Sequence, residues 1–294
     1  MQTISSKKIG IIVPGYNVGQ FGAATLRTIV NASLRSDSGS IILVAVDDGS
    51  TDNTNDAFSS IKRELLNNPA QDIVVEVVSH RFRMGYNQAI KSGLTEILHV
   101  CPTCDLVTVH PANDQIEESS ISNLFNNSQP NTICIGYRQN KRKNRPFLKW
   151  LCSEILQITS RLLVFPNLKD VTGSFIVPPQ LWFDCVNSNP GHAWALRLSR
   201  ISLESQLPII QIPIYIKMDF KKRSGSQGIR RYPRLRDVKD FIKTFVFEIL
   251  YLTRTSQMRS IRKRFITTIK PIETNRAIDG DSQKVWSAVK NPYL

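Results

Sequence analysis

The pattern of hydrophobic and polar positions in the first part of the chain alternates between two periodicities. Nearly continuous apolar runs, typical of strands buried on both faces, occupy residues 8–13, 40–46, 72–78 and 105–109. Segments in which apolar positions recur every three or four residues, as in amphipathic helices, occupy residues 18–34, 51–66 and 86–98. This alternation of strands and helices predicts an α/β fold with a mainly parallel sheet covered on both faces.

The pattern is less regular after residue 117, but further elements are still predicted. The expected strands are residues 133–137, 174–177 and 208–216, and an amphipathic helix is expected over residues 147–165. Because proline has no backbone N–H to donate, Pro208 and Pro213 favour an edge position for the last of these strands.

Three regions are expected along the chain. They are a catalytic domain over residues 1–230, a basic amphipathic helical segment over residues 231–270 and a polar tail over residues 271–294. No apolar run approaches the roughly 20 residues that a bilayer-spanning helix needs. The polar N-terminus leads into the first apolar run without a small-residue cleavage site, so we expect a cytosolic protein, either dissolved or peripheral on the cytosolic face of a membrane.

The net charge of +14 is concentrated in one part of the chain. Residues 217–270 contain sixteen basic side chains and four acidic ones, which is a net charge of +12, and residues 232–265 also repeat apolar positions at helical spacing. This combination is typical of a helix that docks on an anionic membrane surface or meets phosphate groups. The alternatives are a solvated helix face and packing on the catalytic domain. The aromatic residues lie at helical spacing and form no stacking platform, so we expect no nucleic acid partner.

The cysteines suggest a structural role. Five cysteines, an odd number in a chain without secretory features, fit reduced thiols better than a disulfide framework. Cys101 and Cys104 lie close in sequence to His99 and His110. A zinc site formed by these residues and a redox pair formed by the two cysteines are possible interpretations. No second ligand pair follows at the spacing of a zinc finger, which favours a simple turn between a helix and a strand.

The loop after the second predicted strand is rich in carboxylates. In sheets of this kind ligands bind beyond the carboxyl ends of the strands, where the sequence places Asp47, Asp48 and Asp52, with Gly49 to permit a tight turn. Carboxylates there can accept hydrogen bonds from the N–H groups of a base or the hydroxyls of a ribose. The alternative is that these residues only cap the helix that follows.

Several motifs together resemble family 2 glycosyltransferases, most closely the branch of dolichyl-phosphate mannose synthases and related polyprenyl-phosphate sugar transferases. Residues 13–17 (VPGYN) resemble the opening P-x-Y-N motif, and residues 46–52 (VDDGSTD) match V-D-D-G-S-x-D. Residues 81–93 resemble the helix in which Gly85, Ala89 and Gly93 recur every four residues, and such small residues would let the helix lie close to the sheet. The resemblance spans residues 8–227 and implies a GT-A-like, Rossmann-like fold.

The metal motif departs from the family pattern, which is Asp-x-Asp with a nearby Gln after the fourth strand. Residues 109–115 (VHPANDQ) occupy this place, and Asp114 is their one carboxylate. With Gln115 in register, Pro111 and Asn113 fall where the two aspartates belong; a shift of one residue brings Asp114 into the motif. Hard divalent ions take oxygen ligands, so the resemblance implies Mg²⁺ or Mn²⁺ bound by Asp114, Asn113, Gln115 and a diphosphate.

Later motifs supply the expected catalytic residues. Residues 136–138 (GYR) resemble G-x-R, whose arginine, here Arg138, helps hold the donor diphosphate. Residues 170–175 (DVTGSF) resemble the acceptor-side element that begins with Asp170. Residues 222–226 (KRSGS) resemble the closing R-x-x-G-x-S loop, but are one residue tighter. A surface arginine and a turn aspartate are the alternatives for the first two. The expected donor-binding residues are Pro14, Tyr16, Asn17, Asp47, Asp48, Ser50, Arg81, Gly85, Asn113, Asp114 and Arg223.

The resemblance implies an inverting displacement at the anomeric carbon of a UDP- or GDP-linked sugar. An ionised phosphate acceptor needs no general base, whereas a saccharide hydroxyl needs a carboxylate within reach. The helix aligned with residues 191–200 (GHAWALRLSR) contains no acidic residue, which favours a polyprenyl phosphate acceptor, with Asp170 as the base for a hydroxyl acceptor. The altered metal motif also leaves a catalytically inactive relative as an alternative.

Overall fold

The computed structural model describes most of the first 217 residues and a few beyond them. The described ranges are 7–67, 72–139, 154, 157–158, 168–170, 173–188, 194–217, 242–243, 246–247, 250, 266–268, 270–271 and 286–287. Most of the helices predicted at 147–165 and 232–265, together with Arg223, lie outside these residues.

Eight strands form the main sheet among the described residues, and six helices accompany them. The strands are β1 (Lys8–Gly15), β2 (Ser40–Asp47), β3 (Ile73–Ser79), β4 (Leu106–Val109), β5 (Ile133–Arg138), β6 (Ser174–Val177), β7 (Ile209–Ile214) and β8 (Ile266–Thr268). The helices are α1 (Gly19–Leu34), α2 (Thr54–Leu66), α3 (Tyr86–Val100), α4 (Glu118–Asn127), α5 (Pro179–Asn187) and α6 (Trp194–Glu204). Two short antiparallel strands, β9 (Lys270–Pro271) and β10 (Trp286–Ser287), pair separately.

The main sheet has the strand order β3-β2-β1-β4-β6-β5-β7-β8. Strands β1 to β4 pair with one another in parallel, and so do β5, β7 and β8. Strand β6 lies between these two groups and is antiparallel to both β4 and β5. The predicted α/β fold with a mainly parallel sheet is therefore confirmed. Because the parallel strands share one direction, the loops that follow β1, β2, β3, β4, β5 and β7 all leave from the same edge of the sheet.

The predicted edge position of the last strand is wrong, since β7 lies between β5 and β8. Its partner β8 pairs only with Ile209, Ile210 and Gln211. Pro213 lies beyond this short pairing, opposite Tyr137 of β5, so its missing N–H interrupts no ladder with β8. Strand β7 therefore has two neighbouring strands at Ile209–Gln211, where every residue has a backbone N–H. At Pro213, which has no N–H, its one neighbouring strand is β5.

The C-terminal part also differs from the prediction of a helical segment that continues to residue 270. Residues 266–268 form β8, and residues 270–271 form β9. The β-branched sequence Ile-Thr-Thr-Ile at 266–269 favours an extended backbone, which explains why the basic segment does not remain helical to its end. The main sheet therefore includes a strand from beyond residue 230.

Two hydrophobic cores cover the two faces of the sheet. On one face, strand residues such as Val13 and Leu43 pack against α1, α2 and α4, with Phe58 of α2 fully buried among them. On the other face, strand residues such as Ile12 and Val46 pack against α3, α5 and α6. Burial on both faces explains the continuous apolar runs of β1 and β2. Each fully buried Ile, Leu or Val contributes about 1.5–3 kcal/mol of transfer free energy.

The small residues of α3 do bring this helix close to the sheet, as predicted. A Cβ atom at Gly93 would lie 2.5 Å from Cγ2 of Ile12 in β1, which is closer than real Cβ contacts allow. Ala89, one turn earlier, is also fully buried. The middle of α3 is thereby held close to Ile12 of β1 and Val46 of β2.

The Cys-x-x-Cys pair forms the turn between α3 and β4, as predicted. The Cys104 N–H donates to the carbonyl of Cys101 at 3.1 Å, and the Cys104 thiol donates to the carbonyl of Leu106 at 3.3 Å. Burial raises the pKa of Cys104 to about 11, so this thiol is protonated at neutral pH. None of the described helices is long and apolar enough to cross a bilayer.

Candidate active site

The loops that follow β1 and β2 interlock at the carboxyl edge of the sheet. The backbone N–H of Asn17 donates to Oγ of Ser50 at 2.9 Å, and the N–H of Thr51 donates back to Oδ1 of Asn17 at the same distance. Asn17 adopts a φ of 51°, a left-handed conformation that asparagine tolerates better than most residues. These contacts position Tyr16 and Asn17 beside Ser50, with Pro14 paired next to Val46 at the end of β1.

The two neighbouring aspartates after β2 have different partners. Asp47 accepts the N–H of Ser50 at 3.0 Å and so shapes its own loop. Asp48 instead accepts hydrogen bonds from the next loop along the sheet, from the N–H of Met84 at 2.8 Å, the N–H of Gly85 at 2.9 Å and Nδ1 of His80 at 2.9 Å. Both side chains are buried. Asp48 therefore joins two loops and does not present an exposed carboxylate.

The loop between β3 and α3 rests on the β2 loop. Gly49 has a φ of 68°, and a Cβ atom there would lie 2.3 Å from the carbonyl carbon of Phe82, so this position requires glycine. The guanidinium of Arg83 lies over the ring of Tyr16, 4.2 Å from its centroid. Four consecutive residues of this loop, Arg81, Phe82, Arg83 and Met84, are exposed, so the loop forms an exposed rim at the carboxyl edge of the sheet.

The loop after β4 places Asp114 against α1. Thr28 donates its hydroxyl to Oδ1 of Asp114 at 2.8 Å, and the ammonium of Lys217 forms an ion pair with the same oxygen. The N–H of Asp114 donates to Oγ1 of Thr25 at 2.8 Å. The carbonyl of Gln115 accepts the N–H of Lys217 at 2.8 Å, which ties this loop to the end of β7.

Two polar atoms of this loop are buried without a hydrogen-bond partner among the described residues. They are Oδ1 of Asn113 and Nε2 of His110. Burial lowers the pKa of His110 to about 4, with nearby Lys217 adding to the effect, while the carbonyl of Pro111 and the carboxylate of Asp114 oppose it. His110 is therefore neutral at neutral pH. No group of three His, Cys, Asp or Glu side chains arranged to hold a metal ion occurs within the described ranges.

Arg138 and Asp170, the two predicted catalytic residues, meet in a bidentate ion pair. Nε of Arg138 lies 2.8 Å from Oδ2 of Asp170, and Nη2 lies 3.0 Å from Oδ1. The Asp170 side chain is fully buried, whereas that of Arg138 is 13% exposed. The Asp170 carboxylate orients the guanidinium of Arg138 at the end of β5. From there the guanidinium could contact an anionic ligand bound at the carboxyl edge of the sheet.

The structure therefore brings together most of the predicted residues but adds others that the sequence did not single out. Tyr16, Asn17, Asp47, Asp48, Ser50, Arg81 and Gly85 belong to one interlocked group of loops. Asn113, Asp114 and Gln115 form a second group against α1. The residues that sequence reasoning missed are His80, Arg83, Thr28 and Lys217. His80 directly follows β3, and Lys217 lies three residues beyond the end of β7; these positions after strands were the one signal that could have identified the two residues.

Comparison with known proteins agrees with this architecture. The chain matches the model of glycosyl transferase family 2 over residues 10–179. S. aureus TarS 1-349, solved in complex with UDP-GlcNAc, is similar at 14% identity with a TM-score of 0.52, over 85% of this chain and 67% of that one. A search of curated proteins found no match.

A second similar structure is glucosyl-3-phosphoglycerate synthase from Mycobacterium tuberculosis. Its complex with Mg²⁺ and UDP is 15% identical with a TM-score of 0.50, over 83% of this chain and 79% of that one. Its complex with Mn²⁺, UDP and phosphoglyceric acid is 14% identical with the same TM-score, over 83% and 78% of the two chains. These likenesses establish the GT-A-like fold. Because the family model covers more than half of the chain, the protein belongs to glycosyl transferase family 2.

Proposed function

We propose that the protein transfers a sugar, with inversion, from a UDP- or GDP-linked donor to a phosphate acceptor such as a polyprenyl phosphate. The observation that supports this most strongly is the interlocking of the V-D-D-G-S-x-D loop with the P-x-Y-N loop at the carboxyl edge, in a chain that belongs to family 2. This is the edge at which ligands bind in open α/β sheets.

The donor is proposed to lie along the cleft between the β1, β2 and β3 loops. Tyr16 and Arg83 provide a stacked aromatic and cationic surface on one side, and the exposed Arg81 adds a second positive charge. Arg138, oriented by Asp170, provides a cation for the departing diphosphate. Arg223 has the same expected role, but it lies outside the described residues.

A divalent ion is proposed at the loop after β4, as Mg²⁺ or Mn²⁺ accompanies UDP in the similar synthase structures. Within the part of the chain that the structure describes, the buried Oδ1 of Asn113 has no hydrogen-bond partner, and such an oxygen suits a hard cation. Asp114 and Gln115 would supply further oxygens, with the diphosphate completing the set. Such an ion neutralises charge that develops on the leaving diphosphate. Because Lys217 already pairs with Asp114, the ammonium must move or share this carboxylate when the ion binds.

A phosphate acceptor fits the residues on the other side of the cleft. The acidic residue of α6, Glu204, lies at the far end of this helix and pairs with Arg200. Both carboxylate oxygens of Asp170 receive hydrogen bonds from Arg138. A saccharide hydroxyl remains the second candidate acceptor, with Asp170 as its base, but this base would have to leave its ion pair. A phosphate is already ionised and makes no such demand.

The basic segment is proposed to dock the enzyme on an anionic membrane surface. In its described part, Ile242, Val246 and Leu250 lie four residues apart in helical conformation and are each 46–54% exposed. The ring of Phe247 lies 5.3 Å from the guanidinium of Arg197 in α6, which holds this segment near the catalytic domain. Exposed apolar side chains in a segment of net positive charge suit the headgroup layer of an anionic bilayer.

A transfer assay tests the proposal. The full chain is incubated with Mn²⁺ and radiolabelled UDP- or GDP-sugars, with anionic vesicles that contain polyprenyl phosphate or with soluble saccharides. We expect label in the lipid fraction. Label in saccharide alone would favour the second acceptor class, and nucleotide binding without any transfer would identify an inactive relative. Equal binding to neutral and anionic vesicles at low salt, or none, would exclude docking on an anionic surface.

A further inference from the structure

His80 directly follows β3, and its side chain is almost completely buried between two loops and a helix. Its ring is 7% exposed. Nδ1 lies 2.9 Å from Oδ1 of Asp48, and Nε2 lies 3.0 Å from the hydroxyl of Ser92 in α3. Both ring nitrogens therefore have partners, and the ring joins the β2 loop to α3.

The chemistry of these partners assigns the protons. An ionised carboxylate only accepts hydrogen bonds, so Nδ1 of His80 must donate to Asp48. In the neutral ring Nε2 then accepts the hydroxyl hydrogen of Ser92. Asp48 also accepts the N–H groups of Met84 and Gly85, so three donors converge on one buried carboxylate.

These contacts hold the intervening residues at both ends. His80 lies at the start of the segment and Met84 and Gly85 at its end, and all three donate to Asp48. Between them, residues 81–84 form the exposed rim described above, and Arg83 lies over Tyr16. The position of this rim therefore depends on the orientation of the Asp48 carboxylate, which His80 and Ser92 set from the interior.

We propose that His80 is a positioning residue for the donor: it orients Asp48 and thereby holds residues 81–84 in the conformation that binds the nucleotide. This rests on the proposed function in so far as the donor occupies this cleft. His80 does not touch the donor. Its loss should weaken donor binding and raise the donor KM, while kcat of the bound complex changes little.

Two conservative variants separate the two ring contacts. In His80→Asn the amide nitrogen can take the place of Nδ1 and still donate to Asp48, whereas the longer side chain in His80→Gln places its amide near Nε2, within reach of Ser92 only. His99→Gln is the matched control, since the His99 side chain is 80% exposed on the same helix as Ser92. Comparison at a temperature at which all variants remain folded removes general destabilisation as a cause.

The first readout needs no nucleotide. Trypsin cleaves after Arg81 and Arg83, and mass spectrometry quantifies these two cuts in the folded full chain. When the buried Asp48 carboxylate loses one hydrogen-bond donor, the closed conformation of the loop is destabilised. We expect the fraction of molecules with an open loop to rise roughly tenfold. We expect cleavage about tenfold faster in His80→Gln and close to the parent rate in His80→Asn and His99→Gln. Parent-like cleavage in His80→Gln would overturn the proposal.

The second readout is calorimetry with UDP and GDP, together with the donor KM and kcat. His80→Gln should bind the nucleotide about tenfold more weakly, and His80→Asn should be close to the parent. Unchanged affinity in His80→Gln, in a parent that binds UDP or GDP, would also overturn the proposal. If the parent binds neither nucleotide, the proposed function fails, and the cleavage rates alone decide whether His80 holds the loop.

Discussion

The Asp48 and Asp114 regions present two buried carboxylates at the same edge of one sheet, with different partners. Each aspartate is 4% exposed and accepts hydrogen bonds from elements distant in sequence. Asp48 binds two backbone amides and a histidine of the neighbouring loop, whereas Asp114 binds the ammonium of Lys217 and the hydroxyl of Thr28.

The difference shows what a motif does and does not specify. The Asp48 region matches its family motif closely, yet the Asp48 carboxylate binds the loop between β3 and α3. Asp48 would therefore affect a bound ligand through the position of that loop. The Asp114 region departs from its motif, and its carboxylate has a cation from the protein itself as a partner. In this chain the loop that matches its motif uses Asp48 to support the neighbouring loop, and the loop that departs from its motif holds Asp114 in an ion pair with Lys217.

The largest expected effect is at Asp114. Asp114→Ala should abolish Mg²⁺- or Mn²⁺-dependent transfer, because it removes the one carboxylate of residues 109–115, where the divalent ion is proposed to bind. It should also lower the free energy of unfolding by about 3 kcal/mol, since the ammonium of Lys217 loses its buried partner. Initial transfer rates and urea denaturation measure the two effects. Full activity in excess chelator would contradict the role of this residue in metal binding.

Lys217→Met is the matched variant, because it breaks the same ion pair but keeps the carboxylate. If Asp114 serves the metal, Lys217→Met loses stability while metal-dependent transfer persists. An equal loss of transfer in both variants, at equal loss of stability, would mean that the ion pair is only structural.

The next effect concerns His110, which is buried beside this ion pair. Its pKa of about 4 lies below the ordinary 6.5, so the unfolded chain takes up a proton first as the pH falls. The free energy of unfolding should therefore fall by about 3 kcal/mol between pH 6.5 and 4 because of this residue alone. Denaturation curves of the parent and of His110→Asn measure this difference. A parallel pH dependence in the two proteins would contradict it, and His99→Asn, at an exposed site, is the control.

A smaller effect is expected at Asp48. Asp48→Ala removes the acceptor for Met84, Gly85 and His80, so the rim loop loses its anchor and nucleotide affinity should fall at least about tenfold. Asp56→Ala, at an exposed position in the first turn of α2, is the control. Equal affinity of Asp48→Ala and the parent in calorimetry would remove the Asp48 region from the donor site.

The smallest effect is expected at Arg83. Arg83→Ala removes the guanidinium from the ring of Tyr16, and a cation–π contact at an exposed site accounts for about a threefold change in affinity. Arg63→Ala, at an exposed position in α2, tests for a general effect of charge. If both variants bind the nucleotide equally well, the stacked pair has no part in the donor site.

The sequence predicted the fold well where periodicity is strong. All of the first seven strands were predicted from their apolar runs, which are long in β1 and β2 because these strands are buried on both faces. Strand β3 lies at the edge of the sheet and is mostly half-buried, but it is still rich in valine. Helix α4 was missed since its apolar residues Ile121, Leu124 and Phe125 lie among serines and asparagines that are themselves buried. Helix α5 was missed because it is short and begins at the second of two prolines.

The site could be located from the sequence, but its contacts could not. The motifs placed Asp48 and Asp114 at strand ends, where the sheet brings them to one edge. The partners of Asp48 include backbone amides 36 and 37 residues away, and any residue type supplies an amide. Lys217 lies 103 residues from Asp114, and the two meet because the chain after β7 pairs with the Asp114 loop, where the Lys217 N–H donates to the carbonyl of Gln115.

Titration of the parent protein with UDP- and GDP-sugars in the presence of Mn²⁺, followed by calorimetry, tests the central claim most directly. The account predicts saturable binding of one of the two nucleotides at one site per chain, and weaker binding when Mn²⁺ is replaced by a chelator. The absence of binding to either nucleotide with the metal present, from a protein shown to be folded, would contradict the donor site and the function proposed for it.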